Sequence, residues 1–284
     1  MQILTCPSKL KLLETVLQRH LPQALPAYGA VMHINRRNPA QHEVVVDSWP
    51  EFKVVLTRPR QEVVEDKQDY YANFHTAFYL DVDAWRTLLE NAEAIDWGKA
   101  FQLQGLQDGL FEAARDITES RRVDLKPYLY QTFLHPDPSA YCQSRYRSGL
   151  FHLGSLNPSH SALLNENWSV GRNDWSLRYL DSLIRNFPSA CLLDKEGQLV
   201  SWCLTDPMGC LLHGYTLPQY RGQGCVAAVT RATAVKLHAC GFPLYGGVSA
   251  DNQPSKQTLK RQGFHILPLT KYMLLFTPSL QPTR

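Results

Sequence analysis

The sequence predicts a mixed α/β fold: a mostly antiparallel sheet flanked by helices. Three observations point there. Two Val-rich runs, Glu43 to Asp47 and Phe52 to Thr57, flank Ser48-Trp49-Pro50-Glu51, the pattern of a hairpin. Two further turns, Asp194-Lys195-Glu196-Gly197 and Asp206-Pro207-Met208-Gly209, separate short apolar runs. After them a strand enters a glycine turn, Tyr220-Arg221-Gly222-Gln223-Gly224, and a helical pattern begins at once. At 284 residues the chain suits one large domain or two small ones.

The elements follow in order. Ser8 is placed to cap a first helix that Pro22 and Pro26 end. The stretch Ser8 to His20 is amphipathic and admits a mitochondrial address; Glu14 argues for an ordinary helix instead. Tyr28 to Ile34 alternates as a strand, and Asn35 to Ala40 is a turn. Asp83 to Ala92 and Trp97 to Ser120 have helical patterns, the second broken near Gly105 and Gly109. Tyr128 to Leu134 reads as a strand. Residues 135–160 carry Pro, Ser and Gly without periodicity and form the expected linker. The expected division is therefore 1–160 and 161–284.

Asn173 to Asn186 is an amphipathic helix capped by Asn173 or Asp174. Strands follow at Ala190 to Leu193, Gln198 to Leu204 and Cys210 to Leu217, then a helix from Cys225 to about Ala239. Leu244 to Val248 is a further strand. Asp251-Asn252 opens a helix that stops at Gly263-Phe264, and His265 to Thr270 is the last strand. No internal repeat stands out.

Composition excludes several function classes. Lys plus Arg is 29 against 26 for Asp plus Glu, a net charge of +3, too small for a nucleic-acid surface. No apolar run approaches the roughly 20 residues of a membrane span. The 7 cysteines have no CxxC spacing, which predicts neither a disulfide framework nor structural zinc.

The chemistry concentrates at Tyr215-Thr216-Leu217-Pro218-Gln219-Tyr220-Arg221-Gly222-Gln223-Gly224-Cys225-Val226. Glycines let the main chain approach a ligand closely. Free N–H groups and the positive end of the helix dipole then suit a pyrophosphate. The segment is neither a Walker loop, since no GK[ST] follows, nor a GxGxxG fingerprint. By itself it also fits a plain strand-to-helix turn.

Arg221-x-x-Gly224 resembles motif A of the Gcn5-related N-acetyltransferase fold. Asn252-x-x-Ser255-x-x-x-Leu259-x-x-x-Gly263-Phe264 resembles its motif B. Tyr28 to Asn35 with Asn38-Pro39, Val46 to Phe52, Asn167-Trp168 with Gly171 and Asn173, Phe187 to Cys191, and Gly214 to Arg221 resemble the glycine N-acyltransferase family. The resemblance spans about residues 10 to 270. It implies transfer of an acyl group from acyl-CoA to glycine or another small amino acid, with acyl-CoA as co-substrate. No permanently bound cofactor, metal or nucleic acid is implied, and a monomer is expected. It implies a mitochondrial compartment, with a cytoplasmic one as the alternative.

Within that resemblance, Tyr215, Thr216, Leu217, Arg221, Gly222, Gln223, Gly224, Cys225, Val226, Asn252 and Ser255 are the expected acyl-CoA contacts. Val226 stands where the wider fold has a small residue. Gln219 stands where the family's enzyme has a glutamate base, and a neutral amide has no useful basicity near pH 7. Leu259 stands at the wider fold's general-acid tyrosine. A weak or inactive acyl-CoA-binding paralogue is therefore the alternative reading. His213 is the nearest other base, on a strand face with Tyr215 and Leu217. Cys225, at the helix start, is where a thiolate would be favoured. Phe187, Trp202, Tyr215 and Tyr220 are candidates to line an acyl tunnel, and Lys256, Lys260 and Arg261 form a basic helical face. Arg147, Arg172, Arg178 and Lys195 are candidate partners for the amino acid carboxylate.

Overall fold

The computed structural model describes residues 1–142 and 150–279. The chain forms two compact units, residues 1–130 with 269–284 and residues 131–268.

The first unit contains β1 (Gln2–Leu4), α1 (Pro7–Gln18), α2 (Leu25–Asn35), β2 (His42–Val46), β3 (Val54–Pro59), β4 (Phe74–Tyr79), α3 (Val82–Glu90), β5 (Phe101–Gly105) and α4 (Leu110–Arg121). Strand β6 (Val123–His135) then carries the chain into the second unit. That unit contains α5 (Ser139–Cys142), β7 (His152–Gly154), α6 (Ser161–Glu166), α7 (Asp174–Asn186), β8 (Ala190–Leu193), β9 (Leu199–Thr205), β10 (Leu211–Thr216), α8 (Cys225–Ala239), β11 (Leu244–Ser249) and α9 (Gln253–Arg261). Strand β12 (His265–Pro278) returns to the first unit.

Strands of the first unit run in the order β1-β2-β3-β4-β5-β12. Every neighbouring pair is antiparallel except β4 with β5. Its core gathers Val54, Leu56, Tyr79, Trp85, Phe101, Leu110 and Phe276. Strands of the second unit run β6-β11-β10-β9-β8-β7, with β10 and β11 parallel. Helix α7 is capped as expected: the Asn173 side chain accepts the Ser176 N–H at 2.9 Å.

Several expected elements are corrected. Tyr28 to Ile34 is not a strand but part of α2, buried from Leu25 to Met32, so its alternation carries no face. Ser8 does not cap α1, which begins at Pro7 behind Cys6 and has no side-chain cap. That helix is an ordinary packed one, with Leu10, Leu13, Glu14 and Leu17 buried. Glu14 is paired with Arg36 at 3.2 Å. The helix expected over Trp97 to Ser120 is a strand, β5, followed by α4. Phe74–Tyr79 was not anticipated as a strand: every residue is buried, so no polar alternation marks it. The expected linker contains α5 and β7 in its described part.

Candidate active site

The candidate site lies in the second unit, where β10 passes into α8. Strand β10 pairs with β9 through Leu212↔Leu204 and then Tyr215↔Trp202. Between these pairs two residues of β10, His213 and Gly214, oppose the single Cys203 of β9, which makes a one-residue bulge. His213 takes a φ of 50° there. Beside β11, β10 pairs only at Leu211↔Gly246. Among the described residues, its edge toward β11 beyond Leu211 has no strand partner.

After β10, a single turn of 3₁₀ helix, Pro218–Tyr220, places Gln219 on the surface. Gly222 and Gly224 take φ values of 78° and 76°, a region that glycine enters without strain. A Cβ on either would meet nothing within 4 Å, so this side of the turn faces open space. Among the described residues, no acceptor takes the N–H of Gly222, Gln223, Gly224, Cys225, Val226 or Ala227. The first helical bond at this end is Ala228 N–H to Gly224 C=O, at 3.1 Å. The loop thus presents a run of free donors at the positive end of a 15-residue helix.

Arg221 folds back toward the strand. Its Nε donates to the Thr216 carbonyl at 3.2 Å and its Nη2 to Tyr215 Oη at 3.3 Å. No carboxylate among the described residues pairs with it, and its guanidinium is exposed. Thr216 Oγ1 and the Tyr215 carbonyl both meet Ser201 Oγ, at 2.9 and 2.7 Å. The Leu217 N–H is taken by the Val200 carbonyl at 3.0 Å and is not free for a ligand.

His213 is enclosed by rings. It stacks on Trp168 at 5.6 Å, meets Trp202 edge-on at 5.7 Å, and lies 6.2 Å from Tyr215. Its Nε2 lies 2.8 Å from the Leu164 carbonyl. That oxygen only accepts, so Nε2 carries the proton and Nδ1 the lone pair. Burial lowers the His213 pKa to about 4 and keeps the ring neutral at pH 7.

The thiolate expected at Cys225 is corrected. Its sulfur is buried among Phe151, Leu192, Val200 and Val229, and burial raises its pKa. Only its main-chain N–H faces the loop. Val226 packs partly on the same cluster.

Asn252 caps α9, accepting the Ser255 N–H at 3.2 Å. The basic face expected on that helix is reduced, because Lys256 is buried and its Nζ donates to the Ala250 carbonyl. Phe187 and Trp202 are buried, and Tyr220 Oη donates to Asp194 at 3.2 Å. Arg147 lies outside the described residues; Arg172 and Lys195 form no ion pair among those described. The sequence reading missed Ser201 and Trp168. Ser201 becomes visible only once β9 and β10 are paired.

The fold is that of the Gcn5-related acyltransferases: a strand, a glycine turn of free amides, a helix, and a parallel strand that parts from the first. A solved Drosophila protein matches it with a TM-score of 0.77 at 18% identity, over 98% of this chain and 99% of that one. A Gcn5-related N-acetyltransferase from Kribbella flavida matches with a TM-score of 0.56 at 12% identity, over 94% and 96%.

Residues 1–188 match the family aralkyl acyl-CoA:amino acid N-acyltransferase, and residues 190–277 match its C-terminal region. The chain belongs to this family, and its class of reaction is acyl transfer. It is 32% identical to glycine N-acyltransferase-like protein 2 of Homo sapiens, over 98% of this chain and 99% of the relative. It is 34% identical to glycine N-acyltransferase of Bos taurus, over 86% and 88%.

Proposed function

We propose that the chain transfers an acyl group from acyl-CoA to the amine of glycine or another small amino acid, giving the N-acyl amino acid and CoA. The observation that carries this is the run of free amides from Gly222 to Ala227, facing open space. A pyrophosphate there accepts several N–H bonds at once and meets the helix dipole. Arg221 supplies charge from the same turn. The unpartnered edge of β10 offers main-chain groups to the amides of the pantetheine arm. Residues 161–284 are the acyl-CoA-handling part in this reading.

The acceptor amine attacks the thioester carbonyl as the free base. The tetrahedral intermediate collapses, the C–S bond breaks, and CoA leaves as the thiol after taking a proton. The amine's own proton goes to water, because Gln219 cannot accept it and His213 is a weak acceptor. Proximity and the activated thioester sustain the reaction without a strong base. No permanently bound cofactor, metal or nucleic acid is part of this reading. It takes the chain as a mitochondrial monomer, with the cytoplasm as the other compartment.

Thiol release from a panel of acyl-CoAs, with and without each amino acid, tests it. Release stimulated by an amino acid is expected. CoA binding that no amino acid converts into release would instead establish a non-catalytic acyl-CoA-binding paralogue.

A further inference from the structure

The two units share one connectivity. In the first it is β1-α1-α2-β2-β3-β4-α3-β5-α4, and in the second β7-α6-α7-β8-β9-β10-α8-β11-α9. Each has an antiparallel meander, β2-β3-β4 or β8-β9-β10. Each then has a helix and a strand parallel to the last of the meander, β5 or β11. The junction of β4 with α3 therefore corresponds to that of β10 with α8. The loop from β5 to α4 corresponds to the loop from β11 to α9.

These equivalent places differ in what fills them. Where the second unit has free amides, the first has Asp81, whose carboxylate accepts the N–H groups of Asp83 and Ala84 at 2.9 and 3.3 Å. A fixed carboxylate at that helix end repels a second anion. Lys53 is already paired with Asp81, at 3.1 Å. Beyond Leu211, β10 has no β11 pair among the described residues, and at its end Arg221 takes the Thr216 carbonyl alone; the end of β4 has both main-chain groups of one residue taken by a single side chain. Gln107 Oε1 accepts the Tyr79 N–H at 2.8 Å, and its Nε2 donates to the Tyr79 carbonyl at 2.6 Å. One amide thus serves both main-chain groups as a ligand amide would.

The Tyr79 hydroxyl closes the same spot by donating to the Asp108 carbonyl at 2.6 Å. From the β5–α4 loop, Gly109 also approaches this junction closely: a Cβ on it would come within 3.2 Å of Val82 Cγ2 at the start of α3. Strands β4 and β5 stay in register over Phe74↔Gln102, His75↔Leu103 and Thr76↔Gln104, while β10 and β11 keep a single pair.

We propose that the N-terminal unit carries a second, shut copy of the cleft, with Gln107 and Asp81 in the ligand's positions. The chain then takes one CoA, at the turn between β10 and α8 alone. The stoichiometry rests on the acyl-CoA reading of the open cleft; the shutting does not.

Two measurements on the full chain test this. Equilibrium dialysis with CoA should give one site per chain, and none in Gly224→Trp, whose side chain fills the glycine turn. Hydrogen exchange should show the Tyr79 amide at least tenfold faster in Gln107→Ala. In Gln107→Glu, which keeps the acceptor, it should stay protected. Two CoA per chain, stoichiometric binding surviving in Gly224→Trp, or unchanged Tyr79 exchange in Gln107→Ala would each overturn the proposal. No CoA bound by the wild type, with Tyr79 exchange accelerated in Gln107→Ala, would overturn the acyl-CoA reading and support the shut cleft.

Discussion

Arg221 lies over the ring of Tyr215, its Cζ 5.5 Å from the centroid, while one of its nitrogens bonds the phenol oxygen at 3.3 Å. The charge is held at the mouth of the glycine turn by groups that do not neutralise it. Arg221→Ala should raise KM for acyl-CoA about tenfold, the effect of losing one exposed charged contact. Arg221→Lys should recover part of it. Initial rates at varied acyl-CoA check this, and an unchanged KM would remove Arg221 from the phosphate site.

Gln219 stands on an exposed turn, so a carboxylate there would be solvated and ionised at neutral pH. Gln219→Glu should raise kcat, by about 100-fold if the new base reaches the amine. The gain should be lost as pH falls through the ordinary glutamate range. A rate equal to that of the wild type at pH 7.5 would show that proton removal is not limiting.

Cys225 is 2% exposed and packs in the core. Cys225→Ala should cost about 1–2 kcal/mol of stability through the lost sulfur contacts. Its kcat should stay within about twofold of wild type, since no thiolate takes part. Denaturant midpoints and steady-state rates separate the two effects. A loss of kcat beyond tenfold in folded protein would return Cys225 to the chemistry.

Acid should destabilise the first unit through its buried histidines. Burial lowers the pKa of His33 to about 4, and of His42 and His75 to about 3. The folded state binds fewer protons than the unfolded chain below the ordinary histidine value of 6.5. The stability these groups contribute is therefore complete above pH 6.5 and is lost progressively toward pH 4 and below. The guanidinium midpoint should fall between pH 7.5 and pH 5. In His42→Phe, which removes one of the three titrations, it should fall less. An equal drop in both would reject His42 as a source.

Legibility differed between the halves. From Asn173 onward the sequence marked nearly every element, because caps and turns act within a few residues. Asn173 bonds Ser176, Asp194 bonds Gln198, and Asp206 bonds Cys210. The first unit has such punctuation too, as where Asp47 bonds Lys53 and Val54 and Asp81 bonds Asp83, but its strands β3, β4 and β5 are buried along their whole length and lack the alternation that would type them. Phe101–Gly105 shows this: Gln102 and Gln104 look like solvent positions but are buried. Periodicity alone cannot type such a segment.

The sequence by itself determined the family, the strand–glycine-turn–helix that presents free amides, and the absence of an acid at position 219. Each of these is a property of residue identity or of bonds between near neighbours. Only the tertiary structure decided that Cys225 is an inert core thiol, that His213 is neutral, and that one cleft is open while its counterpart is shut. Those outcomes depend on desolvation and on partners far along the chain. Leu164 fixes the His213 tautomer across 49 residues, and Gln107 seals Tyr79 across 28. No local pattern encodes which distant group will arrive at a buried polar atom.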